Sequence, residues 1–408
     1  MTIDIERHTS IYEQLGITPI LNAAGTHTKL GGPSVNEQAA QAMLDASRET
    51  VPIDQLQAHA SRVIADITGA EAGYVTSGAA AGLTLATAAC MCRLDLARIN
   101  RLPDTTGMPA EVVIAREHRS GYDHAFRAAG ARFVEVGMNE ITAGAGVRRT
   151  EAWEYEAAIS ENTAAVAYVY NATSAPRLED VARVCQRKGV PLIVDAAGQV
   201  PPVENFRRLP GTGADIVVFS GGKGIRGPQG TGIVAGSREL VMSIALQHLD
   251  LDEHWDLWDP PESLIDKTKL RGLPRHGIGR GFKVAKEEIV GLLVALQHLN
   301  DGGDAERIRT SERLLRDLAE ALSDIAGATS NLNLATGDGL SYPTLDIRIG
   351  EPLRLVARDV SRALRASETP IYVGEKRLDE NVLTIHPISL DEDKTNYLIA
   401  RIRHVLMS

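Results

Sequence analysis

From about residue 55 to 290, stretches with helical hydrophobic spacing alternate with short apolar, β-branched runs. The runs are Gly73-Tyr74-Val75-Thr76, Glu111-Val112-Val113-Ile114-Ala115, Ala131-Arg132-Phe133-Val134-Glu135-Val136, Ala164-Ala165-Val166-Ala167-Tyr168-Val169-Tyr170, Leu192-Ile193-Val194, Ile216-Val217-Val218-Phe219 and Thr231-Gly232-Ile233-Val234-Ala235. Short strands separated by helix-length segments predict βαβ units and a mostly parallel, seven-stranded sheet in one large α/β domain. Beyond residue 281 the pattern changes to a long helix over 283–299, another over about 304–322, two short strands around Leu345-Asp346-Ile347-Arg348-Ile349 and Val382-Leu383-Thr384-Ile385-His386, and a last helix over about 391–407. This predicts three parts: residues 1–54 packing on the small domain or a partner subunit, 55–285 as the large α/β domain, and 286–408 as a small α+β domain. The polar, aromatic, proline-ended stretch 252–261 reads as a connecting loop, either covering a site or packed on the surface.

With 408 residues and 44% hydrophobic content the chain can bury a large core. Its net charge of −10, from 53 acidic against 43 basic side chains, argues against nucleic-acid or membrane-surface partners and favours a small-molecule ligand. Cys90, Cys92 and Cys185 lack the paired spacing of zinc ligands, so they read as buried thiols in a reducing cytoplasm, with no metal centre. The start, Met1-Thr2-Ile3-Asp4-Ile5-Glu6-Arg7, shows no basic segment followed by an apolar one. Nowhere do about 18 uncharged apolar residues run together, so neither export nor membrane insertion is expected.

Three places carry chemistry. Lys223 stands in Ser220-Gly221-Gly222-Lys223-Gly224 directly after an apolar strand, where a lysine can form a Schiff base. Asp195 ends another strand, and in a parallel sheet such strand ends share the crevice where ligands bind. Ser77, Gly78 and Ala79 open an alanine-rich helix after a strand, a place that reads either as a phosphate seat or as an ordinary helix cap. An amine, a carboxylate and an anion seat together meet the needs of one cofactor, pyridoxal phosphate. His118 follows the next strand and reads as a ring-stacking group or a loop histidine, with Tyr122 and His124 as nearby substitutes. Asn171 reads as an amide donor to the ring oxygen or a turn former, and Ser220 as a phosphate ligand or a turn cap.

The chain resembles the fold-type I pyridoxal phosphate enzymes (aspartate aminotransferase-like), in the branch that holds bacterial selenocysteine synthase and D-glucosaminate-6-phosphate ammonia-lyase. The resemblance is close to full length. It rests on Ile20-Leu21-Asn22-Ala23-Ala24-Gly25-Thr26, Thr68-Gly69-Ala70-Glu71-Ala72, Ser77-Gly78-Ala79-Ala80, Val194-Asp195-Ala196-Ala197-Gly198, Phe219-Ser220-Gly221-Gly222-Lys223-Gly224 with Gly227-Pro228-Gln229, and Gly279-Arg280-Gly281-Phe282-Lys283-Val284-Ala285-Lys286-Glu287. It implies that Lys223 bonds the cofactor, Asp195 faces the ring nitrogen and His118 stacks on the ring. It also implies a homodimer or larger assembly in which Gly230 and Thr231 reach a neighbour's phosphate. Leu383-Thr384-Ile385-His386-Pro387-Ile388-Ser389-Leu390 has no arginine where selenocysteine synthase has one, and no N-terminal tRNA-binding module is expected. Selenium transfer therefore ranks low.

The leading expectation is a lyase that removes the α-proton and a β-group from a small polar or sugar-derived amino acid, releasing a keto acid and ammonia. An aminotransferase and a racemase or epimerase stay open as alternatives on the same scaffold. For the substrate, Arg280, Arg226, Lys283 and Arg348 read as anion clamps or as surface ion pairs, and Thr26, His27 and Thr28 as a substrate-facing segment or plain turn chemistry. His27, His276 and the Lys223 ammonium are candidate proton donors.

Overall fold

The computed structural model describes residues 10–138, 148–334 and 342–408, and the segment Met1 to Arg7 lies outside the described residues. The chain divides into two compact units, one built from Val35–Asp301 and the other from residues up to Ser34 together with Gly302–Ser408.

In the larger unit seven strands form one sheet, in the order Ala72–Thr76, Gly232–Gly236, Ile216–Ser220, Leu192–Asp195, Thr163–Val169, Glu111–Ala115, Arg132–Val136. Gly232–Gly236 runs antiparallel to both of its neighbours, and the other strand pairs are parallel. Side chains alternate between two cores, as the period of two along a strand requires. Tyr74, Val112, Ile114, Ile193, Val218 and Val234 enter one core, whereas Val75, Val113, Val166, Val194, Phe219 and Ile233 enter the other. Helices Ala79–Cys92 and Arg238–His248 cover the first face; Ile53–Thr68, Leu178–Lys188 and Lys286–Asn300 cover the second. Burial on both faces explains why these strands read as apolar runs rather than alternating patterns. The helix Lys286–Asn300 packs on Glu37–Ala46 and Ile53–Thr68, so the compact unit extends beyond both expected limits, 55 and 285.

The smaller unit holds an antiparallel sheet, Val382–Ile385, Thr344–Ile349, Ala328–Asn333, and a parallel pair, Leu21–Ala23 with Ile371–Val373. Leu318, Leu345, Ile347, Val360, Leu364, Leu383, Leu398 and Ile402 form its core. Its last helix, Glu392–Met407, starts where Asp391 caps the Lys394 N–H, within a residue of the expected position. Three of its strands, Leu21–Ala23, Ala328–Asn333 and Ile371–Val373, were not expected: two span only three residues, and Ala328–Asn333 is polar and half-buried.

Candidate active site

The carboxyl ends of the parallel strands lie on one edge of the large sheet, and the sequence-predicted residues of that unit follow from it. Thr76 ends its strand, and Gly78, with φ of +90°, turns the chain into the 14-residue helix Ala79–Cys92. A left-handed φ of this kind suits glycine. The opposing strand comes so close that a Cβ on Gly232 would lie 2.4 Å from the Gly78 carbonyl carbon and 2.6 Å from the Ala79 nitrogen. The N–H groups in the first turn of a helix have no intrahelical acceptor, the property that makes such a turn able to hold an anion. Ser77 is occupied elsewhere: its hydroxyl donates to the Phe282 carbonyl at 2.6 Å, which also accepts from His248 Nε2 at 3.0 Å. His248 Nδ1 in turn meets the Tyr74 hydroxyl at 2.9 Å.

Asp195 ends its strand with Oδ1 accepting the Ala197 N–H at 3.0 Å. Burial raises its pKa above the usual carboxylate value, against the opposing effects of that N–H and of the Lys223 charge. Lys223 is held in a loop that only glycines can form. Cβ atoms on Gly221, Gly222 and Gly224 would come within 2.2 to 2.4 Å of Thr231, Gln229 and Val200. The loop closes through Gly221 N–H to Thr231 O at 2.9 Å, Gly227 N–H to Gly221 O at 2.9 Å and Arg226 N–H to Lys223 O at 3.0 Å. A Cβ on Gly198 would sit 3.8 Å from Lys223 Nζ, so the amine rests against the turn that Asp195 begins.

His118 ends the 3-10 turn Arg116–His118 and is 4% exposed. Tyr168 meets its ring edge-on at 4.5 Å, and the Tyr155 hydroxyl, which accepts the Ala115 N–H at 3.2 Å, lies 3.4 Å from Nδ1. Nε2 is buried with no hydrogen-bond partner. Burial pushes the imidazole pKa down to about 4, so the ring is neutral at pH 7. Its turn is braced by Glu117, which accepts from Arg149 Nε at 2.8 Å and from the Thr150 N–H at 3.2 Å. Arg149 also donates to the Thr173 carbonyl, tying this turn to the one after the neighbouring strand.

The other expected residues divide between internal partners and open surface. Asn171 is exposed and its Oδ1 accepts from the Thr173 N–H at 2.9 Å and hydroxyl at 2.7 Å, closing the turn after its strand through the oxygen of the amide. Thr231 is fully buried and its hydroxyl donates to the Pro228 carbonyl at 2.6 Å; Gly230 beside it is exposed. Ser220 sits at the same sheet edge, its N–H bonded to the Ala197 carbonyl at 3.3 Å. Arg280 pairs with Asp250 at 2.7 Å. Arg226 has φ of +59°, and its carbonyl accepts the Asn36 N–H at 2.9 Å. Lys283, Tyr122 and His124 line a cavity of about 440 Å³ that opens beside Ser77. His276 is exposed, and Arg348 donates to the Glu380 carbonyl at 2.8 Å. In the smaller unit, Thr26 and His27 follow the strand Leu21–Ala23, and the His386 ring lies against Gly25. Tyr155, Tyr168, Arg149 and Gly232 were not anticipated; only Gly232, a glycine inside an apolar strand, carried a sequence signal of close backbone approach.

Among the described residues no group of three or more His, Cys, Asp or Glu could hold a metal ion, and no helix is long and apolar enough to cross a membrane. The donors present do fit pyridoxal phosphate. The anion seat suits its phosphate, a desolvated carboxylate suits a cationic ring nitrogen, and the unpartnered Nε2 awaits a polar ligand atom.

A family model described as aminotransferase class-V matches residues 110–336. The chain is 31% identical over 405 residues to the D-glucosaminate-6-phosphate ammonia lyase of Salmonella typhimurium, covering 97% of this chain and 98% of that protein. It is 29% identical to the 5'-C-glycyluridine monooxygenase-decarboxylase of a Streptomyces species, over 98% and 93% of the two chains. The L-seryl-tRNA(Sec) selenium transferase of Aquifex aeolicus is 23% identical over 96% and 85%. Among solved structures, a D-glucosaminate-6-phosphate ammonia-lyase superposes with a TM-score of 0.79 at 30% identity, covering 98% of this chain and 99% of that one.

Proposed function

Because the chain belongs to the aminotransferase class-V family, we propose that it is a pyridoxal phosphate-dependent ammonia-lyase acting on a small polar or sugar-derived amino acid. The observation that carries this reading is the full-length likeness to a D-glucosaminate-6-phosphate ammonia lyase, together with Lys223 and Asp195 converging on one edge of the sheet. Pyridoxal phosphate, when bound, supplies an electron sink for the carbon bearing the substrate's amino group.

The protein's own groups do the rest. Lys223 is the residue that would hold the cofactor, and its Nζ would take the α-proton of the bound substrate. The same Nζ, now an ammonium, can return a proton to a departing β-hydroxyl. Asp195 is costly to keep ionised where it lies, so a cationic nitrogen is the partner that stabilises it, and its charge holds a proton on that nitrogen. His118, neutral and wedged between Tyr168 and Tyr155, presents a flat ring that does not compete for the proton. The Ala79 amide and the following first-turn amides would take the phosphate, since the Gly78 N–H is bonded to the Thr76 carbonyl at 2.9 Å and the Ser77 hydroxyl to the Phe282 carbonyl; Ser220 stands at the same sheet edge. Within the larger unit, Arg226 beside the Lys223 loop is the substrate-facing residue in this reading. Loss of water and its later uptake balance, so the net products of a β-hydroxy amino acid are ammonia and the keto acid that equals the substrate less NH3.

As part of the same proposal the enzyme works in the cytoplasm as a homodimer or larger assembly. Its three cysteines are buried free thiols whose pKa values burial pushes up to about 12, in keeping with a reducing compartment. The test is to incubate cofactor-loaded protein with D-glucosaminate 6-phosphate and a panel of D- and L-hydroxyamino acids, measuring ammonia and keto acid in equal amounts. Exchange of the amine with a second keto acid would instead make it an aminotransferase. Inversion without ammonia would make it a racemase, and oxygen uptake with carbon dioxide release would align it with the glycyluridine relative.

A further inference from the structure

The parallel pairing of Leu21–Ala23 with Ile371–Val373 sets the segments that follow each strand side by side in the smaller unit. Between them lies a cavity of about 180 Å³ lined by His27, Lys29, Arg365, Tyr372, Glu375 and Lys376, among others. Three cations and one carboxylate line it, in a chain whose net charge is −10. The carboxylate is already spent: Glu375 accepts from Arg365 at 2.6 Å through both oxygens and from the Ser361 hydroxyl at 2.5 Å. Arg365 is further fixed over the Tyr372 ring at 4.9 Å. Lys29 and Lys376, by contrast, make no hydrogen bond or ion pair among the described residues. Burial first, and then the charges of Lys29 and Lys376, lower the His27 pKa against the opposing charge of Glu375, which leaves a neutral imidazole beside the two ammonium groups.

We propose that this pocket of the smaller unit seats a phosphate monoester, held by Lys29 and Lys376 with His27 as a hydrogen-bonding partner. Whole-ligand sites run to about 300–1,000 Å³, so a cavity of this size takes one end of a ligand. Two point charges on flexible stems suit a compact dianion, whereas planar carboxylate recognition favours the arginine fork, and Arg365 is occupied. The inference deepens the lyase reading and rests on it for the identity of the phosphate carrier.

Calorimetric titration of cofactor-loaded protein at constant ionic strength tests it, with inorganic phosphate, D-glucosaminate 6-phosphate and D-glucosaminate as probes. Wild type is compared with Lys29→Ala/Lys376→Ala, and with Lys188→Ala as a surface control. The expected result is phosphate binding that weakens at least tenfold in the double variant alone, and a phosphorylated sugar acid that loses its advantage over the unphosphorylated one. Inorganic phosphate binding equally to wild type and double variant, or to neither, overturns the pocket assignment. If inorganic phosphate follows the expected pattern while the sugar acid is neither bound nor converted, the pocket stands and the substrate reading falls.

Discussion

Gly232→Ala is the sharpest probe of the anion seat. The added methyl would meet the Gly78 carbonyl carbon at 2.4 Å and the Ala79 nitrogen at 2.6 Å, both backbone atoms, whereas ordinary contact begins at 3.4 Å. The first turn of the helix Ala79–Cys92 must therefore retreat by about 1 Å, and misplacement on that scale costs about 100-fold where geometry matters. Overpacking of this kind also costs about 1–3 kcal/mol of stability. Gly73→Ala is the control, because its methyl would come as close, 2.3 Å, but to the Ile64 side chain and away from the carboxyl edge. Titration of the apo variants with pyridoxal phosphate, followed by cofactor absorbance, gives the affinities; thermal melts give the stabilities. Gly232→Ala should bind the cofactor about 10- to 100-fold more weakly, while Gly73→Ala loses stability alone. Equal affinity in the two variants would refute the seat between Gly78, Ala79 and Gly232.

Asp195→Asn removes a carboxyl whose pKa is raised by burial. Stability linked to that raised pKa is present in acid and lost as pH climbs past the folded-state value, so the variant's apo form should melt higher than wild type at pH 7 and equally at pH 3. Its turnover should fall by about 100-fold or more. His118 behaves with the opposite sign: burial lowers its pKa to about 4 from the ordinary histidine value of 6.5, so it contributes stability above pH 6.5 that disappears as pH falls toward 4. His118→Phe should cut the loss in unfolding free energy over that window by about 3 kcal/mol, as read from urea curves at several pH values. Arg149→Ala should lower turnover by about tenfold with a stability change under about 1 kcal/mol, because Arg149 braces the turns after two strands from an exposed position. Steady-state kinetics and melts together check it, and an unchanged rate would make that bracing irrelevant to His118.

The large sheet was legible because its strands are buried on both faces and so spell apolar runs, with Asp195 and Ser220 standing out where the runs stop. The polar strand Ala328–Asn333 has no such contrast, since one side of it is half-exposed and its partner supplies the apolar residues. The glycines around Lys223 announced a tight loop, but not that Thr231 would be sealed beneath it. Tyr155 and Tyr168 reach His118 from 37 and 50 residues away, a contact that depends on sheet order rather than on local spacing. Arg280 illustrates the same limit: charge is visible in sequence, but its partner, Asp250, is chosen by the fold.

The central claim is that Lys223 carries the cofactor. Borohydride reduction of pyridoxal phosphate-loaded protein, followed by protease digestion and mass mapping, should find the added mass on the peptide containing Lys223, and Lys223→Ala should show none. A reduced adduct on another lysine, or an unmodified Lys223 in fully loaded protein, would contradict the account.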